Sequence, residues 1–269
     1  MQLATLGENV SGRKMPGRRV VSRFRPVSMH LLSSAVVAGL AAFMVVGLWY
    51  PYPYSALAGG FELLAILLSV DIVLGPVLTF VAATPGKPLR VLARDMVVIV
   101  STQLLALGYG FHVLAAARPV GLVFEVDQMR VVSAADIDPA TLADAPPALR
   151  ELSWLGPRTF AAVKPTDAKT LLMAIQLGMS GVDLAMLPRQ WRPYESQRDA
   201  VIAKSRPVSL LQQRYVDATP ELESLAREAQ VDVAQLRFLP LRSRNATDWV
   251  VIVASDARVV GCLHLDGFF

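Results

Sequence analysis

The chain has 269 residues, 54% of them apolar and only 18% charged, against about 25% charged in an average soluble domain. That composition excludes a disordered tail protein, and the single cysteine, Cys262, excludes a disulfide-built secreted scaffold. The net charge of +4 is unevenly divided: residues 1–117 carry 9 Lys+Arg against 4 Asp+Glu, and residues 118–269 carry 17 against 18. The basic excess therefore lies among the apolar runs, which argues against a nucleic-acid partner and for a lipid bilayer.

Residues 1–28 hold Arg13, Lys14, Arg18, Arg19, Arg23 and Arg25, with Glu8 the lone acid and no periodicity. They read as a disordered basic cytoplasmic tail, with Met15 a second candidate start. A helix needs about 20 mostly apolar residues to cross a bilayer, and three runs supply them: 29–49, 60–83 and 96–117. Lys87, Arg90 and Arg94 lie between the second and third runs, while residues 50–59 are uncharged. By the positive-inside rule the N-terminus is cytoplasmic and residues 118–269 form a domain outside the inner membrane, periplasmic in a Gram-negative cell. A signal peptide cut after Ala56-Leu57-Ala58 is the alternative for the first run, but its apolar core exceeds the usual 7–15 residues. Trp49, Tyr50, Tyr52 and Tyr54 read as an interfacial aromatic belt, with a binding role as the alternative.

Asp71 stands near the middle of the second run, where a charge costs several kcal/mol on insertion scales. Gly75, Pro76 and Thr79 follow along the same stripe: glycine permits close helix approach, proline frees a carbonyl near Ile72 and kinks the helix, and the threonine can rebind freed backbone groups. Counting helical rise, Gln103 and Tyr109 of the third run lie at about the depth of Asp71, and His112 nearer the outside. Two readings stay open: a structural bond from Asp71 to Tyr109 or Gln103, or a docking point for a partner helix or proton relay built from Asp71, Gly75, Pro76, Thr79, Gln103, Tyr109 and His112.

The remainder reads as α+β. Residues 120–126 and 129–132 pattern as a hairpin, 139–150 as a loop and 159–163 as a short strand. Asp167 caps a helix that runs to Met179. Residues 194–205 and 208–215 read as two helices, and Thr219 as cap with Pro220 at the first position opens a third that ends near Gln230. Residues 236–241, 249–253 and 259–265 are strand-like, the last two forming a hairpin. The fold class is thus three N-terminal transmembrane α-helices followed by an exported α+β domain. No nucleotide, metal, disulfide-exchange or hydrolase motif occurs, so neither cofactor nor enzymatic activity is expected. Cys262, His264 and Asp266 share alternate positions on the final strand, an arrangement open to a catalytic cluster but more simply read as edge-strand residues.

Between His30 and Ile137 the chain resembles the type IV pilin accessory protein family (TfpX/TfpZ type). The resemblance rests on the order and spacing of His30-Leu31-Leu32-Ser33, Trp49-Tyr50-Pro51 with Tyr54, the run from Val70-Asp71 through Gly75-Pro76 to Thr79, Pro85-Gly86-Lys87, Leu107-Gly108-Tyr109-Gly110-Phe111-His112, Ala117-Arg118-Pro119-Val120, Phe124-Glu125-Val126-Asp127 and Arg130-Val131-Val132. Leu239-Pro240-Leu241 and the ending Leu265-Asp266-Gly267-Phe268 are similar too, although Phe268-Phe269 replaces the family's Pro-aromatic ending. The resemblance implies a non-enzymatic inner-membrane factor that assists a cognate major pilin in assembly into surface pili, alongside the inner-membrane assembly machinery. It also gives the polar stripe a candidate partner, the apolar N-terminal helix by which a pilin sits in that membrane. A membrane-anchored sensor with a ligand-binding exported domain is the competing class, and a membrane transferase the third. A sensor normally needs a cytoplasmic output module, for which residues 1–28 are a poor candidate, and a transferase would need an acidic or histidine-based site, for which the exported carboxylates show no motif.

Overall fold

The computed structural model describes residues 24–84 and 86–269; most of the expected N-terminal tail lies outside the described residues. The first apolar helix, α1 (Phe24–Met44), begins inside the segment expected to be tail and ends in a wide π-helical stretch, Val45–Trp49. A short helix, α2 (Tyr54–Leu57), separates it from α3 (Gly60–Ser69), a second π-helical stretch (Val70–Leu74) and α4 (Gly75–Ala82). The wide turn lies just before Pro76, whose missing N–H leaves the carbonyl four residues back without its usual donor. The third apolar helix, α5 (Leu89–Ala117), starts a full seven residues before the uncharged run, so Arg90, Arg94 and Asp95 are helical. All three helical stretches are long and apolar enough to cross a membrane.

After Arg118 the chain builds a mixed sheet. Its strands are β1 (Pro119–Glu125), β2 (Gln128–Ser133), β3 (Arg158–Ala162), β4 (Trp191–Pro193), β5 (Arg206–Pro207), β6 (Arg237–Arg242), β7 (Trp249–Val253) and β8 (Val259–Leu263). The order is β4-β3-β1-β2-β6-β7-β8, with β5 also pairing β6. The expected β1–β2 and β7–β8 hairpins form, and β1 lies parallel to β3 as β2 does to β6. Apolar clusters cover both faces. Leu122, Phe124, Leu239 and Val251 pack on one side, and Val123, Phe160 and Trp191 with Phe238, Val250 and Ile252 belong to the clusters that complete the core. β1 is consequently buried at all seven positions, as a central strand covered on both faces must be.

Among the connecting helices, α6 (Ala168–Met179) is capped by Asp167, whose carboxylate accepts from the Thr170 N–H at 2.8 Å. It buries no side chain, and Leu172, Met173, Ile175 and Met179 face outward. Residues 194–205 do not form one helix: a 3-10 turn (Tyr194–Gln197) precedes α7 (Arg198–Lys204). α8 (Ser209–Arg214) and α9 (Thr219–Ala229) follow. Thr219 is already the first helical residue and its side chain makes no capping bond, so Ala218 takes the position expected of it. The expected loop at 139–150 contains two 3-10 turns, Pro139–Asp144 and Pro147–Leu149.

Candidate functional site

The π-helical stretch before Pro76 turns Asp71 inward, where it is buried. Its Oδ1 and its backbone carbonyl both accept from Gln103 Nε2 of α5, at 3.3 and 3.4 Å. One turn along, Gly75 supplies the room: a Cβ there would stand 2.3 Å from Gln103 Nε2 and 2.8 Å from His30 Nε2. His30, near the start of α1, forms a 2.6 Å hydrogen bond through Nδ1 with Thr79 Oγ1, and both residues are buried. All three apolar helices thus meet through one carboxylate, one imidazole, one amide and one hydroxyl. The group borders a cavity of about 100 Å³ lined by Ser33, Ser34 and Leu107 among others. Such a set can brace helices in hydrocarbon, where unsatisfied polar groups are costly. Among the described residues no three metal-ligating side chains cluster.

His30 was not among the candidates, because a histidine at the edge of an uncharged run carries no pattern of its own. Tyr109 and His112 were, but they do not join the group. Six residues separate Gln103 from Tyr109, which turns the helix by about 120° net; equal depth did not bring an equal face. Tyr109 is 72% exposed and borders an apolar groove of about 220 Å³ between α3 and α5, with Leu63, Ile66, Ala106 and Val113. His112 also faces outward, and Pro76 is half-buried.

The aromatic segment is divided. Tyr50 is fully buried, its hydroxyl donating to the Leu114 carbonyl at 2.8 Å and its ring filling the space over Gly60. Tyr54 packs against the sheet's core, into which Leu57 is wholly buried. Trp49 lies edge-on to Phe111 and 5.9 Å from Trp154. Of the four, only Tyr52 is exposed; Tyr50 joins helix to helix, Tyr54 reaches the sheet, and Trp49 touches α5 and the loop at Trp154.

The final-strand trio does not converge. Cys262 faces the core beside Tyr54, and burial pushes its thiol up to about 12. The strand ends at Leu263, and His264 turns to Asp248 (Nε2 to Oδ2, 2.7 Å) and stacks on Trp249. Asp266 pairs with Arg214 and accepts from the Phe268 N–H. A different polar group was missed at the tip of the first hairpin. There Glu125 Oε1 accepts from the Leu184 N–H at 3.2 Å and Arg130 pairs with Asp183. Burial, then the neighbouring Asp183 carboxylate, push the Glu125 acid above its ordinary range, against the pull of Arg130 and two backbone N–H groups. The register carried a signal, since Val123 pairs with Arg130 and Glu125 with Gln128, which sets Glu125 and Arg130 diagonally on one face.

Comparison with known proteins bears on what this architecture serves. A family model, fimbrial assembly protein FimB, matches residues 18–59, a segment that includes α1, the buried Tyr50 and Leu57 and the partly buried Tyr54. The fimbrial assembly protein of Dichelobacter nodosus serogroup I is 30% identical over 244 residues, covering 89% of this chain and 94% of the relative. That of serogroup E1 is 29% identical over 241 residues with the same coverage. That of serogroups C1 and C2 is 39% identical over 109 residues, 40% of this chain and 83% of the relative. No solved structure shows a significant match.

Proposed function

The chain belongs to the fimbrial assembly protein family, and from that premise we propose that it is a non-enzymatic, chaperone-like membrane factor that helps a cognate type IV pilin into surface pili. The observation that carries this reading is likeness over nearly the whole chain, helices and sheet domain alike, to proteins named for fimbrial assembly. The distribution of Lys and Arg supports an inner-membrane location with the N-terminus in the cytoplasm and the sheet domain in the periplasm. In this arrangement Asp71, Gly75, Thr79, Gln103 and His30 hold the three helices together from within. The pilin's apolar helix docks outside them, along the groove bordered by Tyr109 and toward His112, while the sheet domain orients the pilin head for handover to the assembly machinery.

A deletion strain tests this reading, with surface pili and total pilin quantified in the same cells. Lost surface pili with normal pilin is the expected result; lost pilin as well would shift the role to stabilising the subunit. Unchanged piliation would overturn the proposal. Complementation with Tyr109→Ala should restore the protein to the membrane while reducing pilin co-purification several-fold, and full recovery of the co-purified pilin would remove the groove from the mechanism.

A further inference from the structure

We propose that the loop at residues 153–156 is a second membrane anchor, which seats Trp154 and Leu155 in the headgroup–acyl boundary of the bilayer beside the ends of the first and third apolar helices. The inference needs only that these helices cross a membrane and stands apart from the role in fimbrial assembly.

The loop leaves the sheet domain and turns back onto the helices. Gly156, at φ +81°, lies against them so closely that a Cβ would stand 3.3 Å from Pro51 Cγ and 3.8 Å from the carbonyl oxygen of Leu48. Leu48 is in the last turn of the first helical stretch, so the loop reaches alongside the helix and not merely beyond it. On the other side Arg118, the residue after α5, donates from Nε to the Ser153 carbonyl at 3.1 Å and from Nη1 to Ala115 in the last turn of α5. Its guanidinium stacks 3.8 Å over the Trp154 ring, and that ring also packs on Trp49. The loop is thereby fixed to the ends of two spans at one level.

At that level its apolar side chains are left open. Leu155 is 78% exposed and Trp154 57%, and Tyr52 and Leu48 on the same rim are exposed too. An apolar patch of this kind is unfavourable in water, whereas an indole and a leucine beside a cation match the boundary between acyl chains and headgroups. Through Leu48, which the loop touches, the patch joins the outward-facing Phe43 and Leu40 of the first helical stretch, and this continuity identifies a lipid bilayer as its occupant.

The test uses the full chain in phosphatidylcholine–phosphatidylglycerol vesicles, with a nitroxide on Leu155→Cys in a Cys262→Ala background. Met179→Cys is the control: it is exposed at the end of α6, in the connection between Ala162, which pairs with Glu125 at the far end of β1, and Leu184, whose N–H donates to the Glu125 carboxylate. The label at 155 should collide with oxygen several-fold more, relative to a water-soluble nickel chelate, than the label at 179, and Trp154→Cys should behave like 155. Equal chelate access at 155 and 179 would overturn the proposal, and so would shielding of 155 from both reagents, which would mean that protein covers the loop.

Discussion

The three apolar helices and the sheet domain are stabilised by different means. In the sheet domain, apolar side chains are withdrawn from water on both faces of a central strand. In the helical part most apolar side chains face outward, as Leu105, Val81 and Leu40 do, and moving them from lipid to a helix interface yields no hydrophobic gain. Those helices are joined by a close approach at Gly75 with the hydrogen bonds around it, and by one small cluster of Val45, Tyr50, Leu64, Leu67 and Leu114.

The largest effect is expected from Trp191→Ala in the sheet. The substitution removes a fully buried ring packed at a tilt against Phe160 and leaves the Ala185 carbonyl without its indole donor. A loss of about 3–5 kcal/mol is expected for such a truncation, read as a lowered unfolding midpoint of the full chain in detergent. Gly75→Leu is the counterpart among the helices. It forces a side chain into the space held by Gln103 and His30 and should cost about 1–3 kcal/mol, measured as lost cysteine cross-linking between α1 and α4. A cost in the first range would mean that the helices depend on packing as the sheet does.

The smallest effect is a pH slope. Because the folded state holds the Glu125 proton above the ordinary carboxylate pKa of about 4.3, its stabilising contribution is complete below that value. It is lost as pH rises through the raised pKa. Glu125→Gln, which retains an acceptor for the Leu184 N–H, should flatten the decline of Tm with rising pH. An unchanged slope would exclude Glu125 as its source.

The sequence was most informative where one residue type repeats along one element. The apolar runs, both hairpins and the Asp167-capped helix follow from local pattern. β4 does not, because a three-residue strand containing Pro193 has neither the length nor the donors of an ordinary strand. Depth along α5 was also legible, and it put Gln103 at Asp71; the direction around the helix was not, and Tyr109 faces away. The roles of His30, Tyr50 and Leu57 depend on partners 49, 64 and more residues distant, and no local window contains such contacts.

α2 sets the mechanical character of the molecule. A domain joined to its membrane stem by one peptide linkage swivels on that joint. Here the stem holds the sheet domain at more places than the continuous chain at Arg118: Tyr54 and Leu57 are inserted from the turn between the first two helices into the core, and the loop at residues 153–156 packs back on Trp49 and Pro51. Attachment at several points removes the swivel, so torque applied to the sheet is transmitted to the helices.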